Sequence, residues 1–412
     1  MTENMKKPEL LAPGGSLEKL KIAIMYGADA VYIGGEAFSL RVAAENFSFG
    51  DMKEGIEYAH KRGKKVYLTA NILPHNRDID EFGEYIKNIR PLGFDAVLIA
   101  DLGMFDMMRE YAPEIPIHVS TQANNINYRS ACMWHKLGAK RVVLAREMSF
   151  EEIAEIRRRT PADLELEAFV HGAMCVSYSG RCLLSNYMAQ RDANQGACAH
   201  PCRWNYSLVE QTRPGEYMDV YENERGTFIF NSKDLCMIRH IPELVKSGIS
   251  SFKIEGRVKT SYYTATIIKA YREEIDRYFE NPDRYEFDER QYEELCKISH
   301  RPYSTGFYMG KPTAEQQVYT DSSYIRDYDL IGMVEDYDSK TGVAKISQRN
   351  RFFAGDEIEI MSPGKPFFAQ KVQWLENENR ERIEVANHAA MTVYLPTDKP
   401  VVPGAMLRKK RL

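Results

Sequence analysis

Eight short apolar segments rich in Val, Ile and Leu, each followed by an amphipathic stretch, run through the first two-thirds of this 412-residue chain. The apolar segments barely alternate in polarity, which is the pattern of parallel strands buried on both faces. Nearly all of them end in glycine or a polar side chain. Together these observations predict an α/β fold: a (β/α)8 TIM-like barrel with a long insertion between strands 7 and 8, plus a small C-terminal antiparallel β-barrel. An open, doubly wound sheet is the alternative topology.

The segment ELLAPGG (9–15) ends in a turn, and Ser16 is placed to cap the helix that follows. AVYIGG (30–35) precedes a helix near 51–62, and KVYLTAN (65–71) one near 78–89. DAVLIAD (95–101) and PIHVSTQ (116–122) precede helices near 103–111 and 127–137, and RVVLARE (141–147) one near 150–159. LELEAFVHG (164–172) is the seventh strand and SFKIEGR (251–257) the eighth. The chain between them is too long for a single crossover helix. It holds a cysteine-rich insertion, 173–233, with a hairpin predicted over 206–232 and a helix from about 234 that Cys236 opens. The barrel domain is thus expected over 1–280, a linker over 281–327 and the C-terminal domain over 328–412. That last part alternates apolar and polar residues, with turn signals at Ser339–Gly342 and Pro363–Gly364.

Hydrophobic residues make up 44% and charged residues 28% of the chain, as in folded domains, and the formal net charge is -4. No global field therefore favours a polyanion, and a nucleic-acid partner would need a local basic patch. Arg157, Arg158 and Arg159 at a helix end, and the tail from Arg408 to Arg411, are two such runs. Solvated termini are the plainer reading of both. No apolar run reaches the length of a signal peptide or the roughly 18 residues of a membrane span. The cytoplasm is the expected compartment, and thiols there stay reduced.

Four of the seven cysteines fall between His171 and Cys202, spaced C-x6-C-x15-C-x3-C at Cys175, Cys182, Cys198 and Cys202. Their flanks are Gly, Ser, Asn, Gln and Arg, not core residues, so four thiolates for a metal centre are the expected use. Only Cys198 and Cys202 have the close spacing of a zinc knuckle. The spacing therefore leans towards an iron–sulfur cluster, with zinc as the alternative. Cys236 is a reserve ligand.

The barrel's strand ends supply the other candidates. In HVSTQ and KIEGR, polar side chains recur two apart within buried runs, which aims them at one face. Arg146, Lys253 and Arg257 are candidates to hold an anionic substrate, with Glu255 and Glu167 as their ion-pair partners or as catalytic groups. His118, Gln122 and His171 complete the candidate catalytic set. The hydrolase motifs H-E-x-x-H and G-x-S-x-G are absent from the sequence. A Cys175–His171 pair is conceivable, but nothing local orients it.

EAFVHGAMCVSYSGRCLLS (167–185) resembles the signature of the peptidase U32, or collagenase-like, family. The segments ELLAPGGSLEKLKIAIMYGADAVYIGG, HVSTQANNIN, NQGACAHPCRW and NSKDL with FKIEGRVKT extend the resemblance over nearly the whole chain. It is strongest to the branch of bacterial tRNA hydroxylation proteins. That resemblance implies oxygen-independent hydroxylation of the tRNA wobble uridine to 5-hydroxyuridine, with prephenate as hydroxyl donor. It also implies a 4Fe-4S cluster on Cys175, Cys182, Cys198 and Cys202, although a related branch takes its fourth ligand from near NSKDL, where Cys236 stands. The implied partners are tRNA, a small dicarboxylate co-substrate and a paralogue or second copy of the chain. The family name implies proteolysis instead, and a non-catalytic RNA-binding or cluster-sensing protein is a third reading.

Overall fold

In a computed structural model, residues 6–40, 46–175, 177, 179–204, 222–223, 226–227, 232–310, 324–388 and 390–411 are described. Seven parallel strands follow one another around a closed barrel: β1 (Glu9–Gly14), β2 (Ala30–Gly34), β3 (Lys65–Ala70), β4 (Ala96–Ile99), β5 (Ile117–Val119), β6 (Arg141–Val143) and β7 (Glu165–Ala173). The eighth barrel strand, Ser251–Ile254, pairs in parallel with both β7 and β1 and closes the ring. The closure rules out the open sheet.

Local chemistry agrees with this order. Ser16 accepts the Lys19 N–H at the start of the first helix, and Asp101 and Asn127 cap the fourth and fifth in the same way. Ser48 with Asp51, and Ser149 with Glu152, form reciprocal capping boxes. The strands carry a continuous core that includes Leu10, Val31, Leu68, Val97, Val142, Leu166 and Phe252.

Two expectations change around the insertion. Asp234–Cys236 does not open a helix. It is a strand antiparallel to β7, with Cys236 opposite His171, and the next helix is Ile241–Lys246. All three strand residues are buried, so tertiary pairing with the barrel wall overrides the local pattern. Of the hairpin predicted over 206–232, the antiparallel pair Glu222–Asn223 and Gly226–Thr227 is described, and most of the rest lies outside the described residues. The stretch 281–327 does more than link. It carries the helix Glu289–Cys296, and Tyr303–Ser304 adds in parallel to Asp234–Cys236.

From Tyr328 onward an eight-stranded antiparallel sheet curls into a half-barrel over its own core of Ile331, Ile346, Ile358, Leu395 and Leu407. Its contacts include one to the (β/α)8 barrel and one to the helix Glu289–Cys296. The Tyr26 hydroxyl donates to the carbonyl oxygens of Met361 at 2.9 Å and Gly404 at 3.0 Å. Arg408 is fully buried and pairs with Glu294 and Glu359, each at 2.6 Å. The reading of Arg408 as part of a solvated or RNA-touching tail is thereby corrected: it is an interior ion-pair residue, and its neighbours Lys409 and Arg411 pair with Asp356 and Asp329. Arg157 likewise donates to the carbonyls of Leu164 and Pro161 and serves its own turn.

Candidate functional site

A cavity of about 460 Å³ opens at the C-terminal ends of the barrel strands. That face is where barrel loops build sites, and the volume falls in the range of small-molecule pockets. Its walls combine Tyr32, Leu40, Leu98 and Phe169 with polar groups from strand ends and from the insertion.

All four clustered cysteines, Cys175, Cys182, Cys198 and Cys202, line this one cavity. Glu147, just past β6, fixes the segment that carries them: it accepts the Ser179 backbone N–H at 2.8 Å and the Ser179 hydroxyl at 3.1 Å. Gly180 then passes so close to the chain that a Cβ there would stand 2.1 Å from the Gln122 carbonyl oxygen. Its φ of +75° is a second reason for glycine. Farther on, Leu73 donates its N–H to the Asn194 carbonyl at 3.1 Å, and Ser185 accepts the Ala199 N–H at 2.9 Å. The insertion is thus stitched to the loops after β3, β5 and β6.

No disulfide is assigned to any of the seven cysteines. The Cys198 sulfur accepts the His200 backbone N–H at 3.4 Å, the kind of bond that tunes thiolate ligands. Four soft donors on one cavity fit an iron–sulfur cluster or zinc in number and kind. Among the described residues, no three His, Cys, Asp or Glu side chains are gathered tightly enough to enclose a metal ion. Cys236 is not on the cavity. It is buried on the strand beside β7, and burial pushes its thiol up to about 12.

The three candidate anion-binding residues all reach the cavity. Arg146 lies over the Phe169 ring at 3.7 Å, pairs with Glu255 at 3.0 Å and donates to the Ala173 carbonyl at 2.5 Å. Arg257 crosses the barrel mouth to the hydroxyls of Ser39 at 2.7 Å and Thr69 at 2.9 Å. Gly34 makes room for it, since a Cβ there would lie 2.3 Å from the guanidinium. Lys253 lies at the floor, 2.7 Å from Glu167. Burial raises the Glu167 carboxyl, but Lys253 and Arg141 outweigh it and hold the group below its usual value. Burial lowers the Lys253 ammonium against the opposing pull of Glu167. Glu167 is therefore a charge partner under the floor and does not line the cavity.

The remaining catalytic candidates divide. Gln122 and Glu255 line the cavity. His118 points into the barrel interior against Tyr67, with ring centres 4.8 Å apart. His171 is enclosed by Tyr263, Tyr271 and Tyr303, and burial, with His300 and Lys259 nearby, pushes it down to about 3. Neither histidine lines the cavity, so the Cys175–His171 dyad is not assembled. Sequence reasoning did not single out Lys259, Arg301 and Tyr324, which form one side of the mouth. Lys259 lies just past the eighth strand and its loop position was legible. Arg301 and Tyr324 arrive from 281–327, where no periodicity points to the barrel. Basic side chains outnumber carboxylates on the lining, five to two.

A closed parallel barrel with a polar, cationic cavity at its strand ends is a TIM-barrel protein with its site on the catalytic face. The chain belongs to peptidase family U32: the family model matches residues 15–318, and the model of the family's C-terminal domain matches 326–408. It is 41% identical to tRNA hydroxylation protein P1 of Bacillus subtilis (strain 168), over 98% of this chain and 95% of that protein. It is 39% identical to tRNA hydroxylation protein P of Escherichia coli (strain K12), over 95% and 94%. A protein of Porphyromonas gingivalis named collagenase is 31% identical over 98% of each chain.

Proposed function

We propose that this protein hydroxylates tRNA, converting the wobble uridine to 5-hydroxyuridine without molecular oxygen. The full-length similarity to proteins named for tRNA hydroxylation supports the tRNA part of this reading. The observation that carries the chemistry is that Cys175, Cys182, Cys198 and Cys202 all line one cationic cavity. Cys175, Cys182, Cys198 and Cys202 would hold an iron–sulfur cluster. Cys202 is favoured over Cys236 because it lines the cavity. When bound, a cluster supplies redox chemistry that thiols and carboxylates lack.

The chain's own groups would do the rest. Arg257 and Arg146 would grip the carboxylates of a small dicarboxylate donor such as prephenate, since a guanidinium matches a carboxylate in a bidentate fork. Lys253 would add positive charge from the floor. Glu255 would hold Arg146 in place and can exchange a proton at the cavity wall, and Gln122 would orient the substrate by hydrogen bonds. The peptidase reading has less support, because its local nucleophile–base pair, Cys175 with His171, is not brought together.

The test is anaerobic reconstitution. Protein purified without air, incubated with unmodified tRNA and prephenate, is expected to form 5-hydroxyuridine. Loss of that product on omitting prephenate would support the donor, and equal product without it would contradict the donor. Cleavage of gelatin by the same preparation, abolished in Cys175→Ala, would favour the peptidase instead.

A further inference from the structure

Two cations share one aromatic ring at the mouth of the cavity. The Lys259 ammonium lies 3.9 Å from the centre of the Tyr324 ring, and the Arg301 guanidinium carbon lies 4.7 Å from the same centre. Both distances are within cation–π range. Arg301 is only 3% exposed, and its guanidinium shares the Tyr324 ring with the Lys259 ammonium. Among the described residues Lys259 makes no ion pair with a carboxylate.

The position selects the kind of anion. Lys253 projects from the eighth barrel strand itself, over the flat surfaces of Tyr32 and Phe169. Lys259 is half-buried at the rim, next to Val258, which is 53% exposed. A ligand filling the site would therefore place a flat part deep and an anionic part at the edge. A nucleotide turned into the cavity has this layout, with its base inside and its backbone phosphate at the rim. The loop after the eighth strand is also a recurrent phosphate position in barrels of this kind.

We infer that Lys259, Arg301 and Tyr324 form a subsite for a backbone phosphate of the RNA strand that carries the target nucleotide. This rests on the reading that RNA is the substrate. These residues are distinct from Arg146 and Arg257, which are assigned to the small carboxylate.

The probe is tRNA isolated from cells lacking this protein, with binding measured over a range of salt. Lys259→Ala is expected to weaken binding roughly 3- to 20-fold at moderate salt and to reduce the slope of log affinity against log salt by about 0.7 to 0.9. Lys259→Arg is expected to bind nearly as the wild type does. Lys259 is half-buried in a turn, so its truncation leaves the core intact. Unchanged affinity and slope in Lys259→Ala would overturn the inference. A loss confined to binding of malonate, with tRNA binding intact, would also overturn it and would reassign the residues to a carboxylate. The proposed reaction fails by a different result, namely tRNA from the deletion cells that still carries its full 5-hydroxyuridine.

Discussion

Glu147 accepts both the backbone N–H and the hydroxyl of Ser179, at 2.8 Å and 3.1 Å, and so ties the cysteine-bearing segment to the end of β6. The link spans 32 residues and joins a rigid barrel strand to a loop that has little regular structure of its own. Glu147→Ala removes the acceptor for two donors. We expect the barrel to stay folded, since Glu147 lies at the mouth, and the segment to loosen. Iron and sulfide retained after anaerobic purification should fall several-fold, with an unchanged far-ultraviolet circular dichroism spectrum. Full iron and sulfide content in this variant would show that Ser179 needs no such tether.

Cys202 and Cys236 make opposite predictions. Cys202→Ser should abolish the visible absorbance of anaerobic protein, as should Cys175→Ser, Cys182→Ser and Cys198→Ser. Cys236→Ser should keep it, because Cys236 is buried beside Tyr271 and His171, off the cavity. The reverse pattern for the two residues would move the fourth ligand to Cys236. Stoichiometric zinc with no iron or sulfide would remove the cluster altogether.

The floor of the cavity is an ion network. Glu167 has no exposed surface and bonds Lys253 at 2.7 Å and Arg141 at 2.9 Å, and Arg141 continues to Glu9 at 2.6 Å. Glu167→Gln takes from buried Lys253 the carboxylate it pairs with, while Arg141 keeps Glu9 and Glu165. Breaking a buried pair from one side costs about 3–5 kcal/mol. Urea unfolding should show a loss of that order, with the variant still folded at low denaturant. A loss below about 1 kcal/mol would mean that water reaches the pair.

His171 sets an acid limit. Its ordinary value of 6.5 is pushed down to about 3 by burial, with His300 and Lys259 adding to the effect, and His118 is also held well below 6.5. Above pH 6.5 both histidines are neutral folded and unfolded, so they leave stability unchanged. Below it the unfolded chain takes up protons that the folded protein refuses. Stability should then fall by up to about 1.4 kcal/mol per pH unit for each histidine. For His171 the fall continues until about pH 3. Glu167, held below 4.5, adds nothing to this slope between pH 5 and 7. His171→Phe should flatten the slope by one proton's worth in urea melts at pH 7, 6 and 5. An equal slope in the variant would mean that His171 is protonated in the fold.

Much of this arrangement was legible in the sequence. The eight apolar segments and their polar ends mark the barrel and its mouth, since strand burial and strand-end exposure are properties of neighbouring residues. The clustering of Cys175, Cys182, Cys198 and Cys202 needed no structure to be noticed. The sequence did not reveal where paired side chains lie in depth. Lys253 and Glu255 are two apart in sequence and both reach the cavity, yet Lys253 pairs with the buried Glu167 and Glu255 with Arg146. His118 and Ser120 divide in the same way: Ser120 lines the cavity and His118 lies beneath it. Asp234–Cys236 read as a helix start because its pairing partner, β7, is distant in sequence. Arg408 read as tail because its partners, Glu294 and Glu359, come from two other segments.

The proposed hydroxylation of tRNA is read out by nucleoside mass spectrometry of tRNA from cells lacking the protein, with any paralogue also deleted. 5-Hydroxyuridine and its derivatives should fall to background, return with the wild-type chain and not return with Cys175→Ala. Undiminished 5-hydroxyuridine in the deletion strain would contradict the proposal.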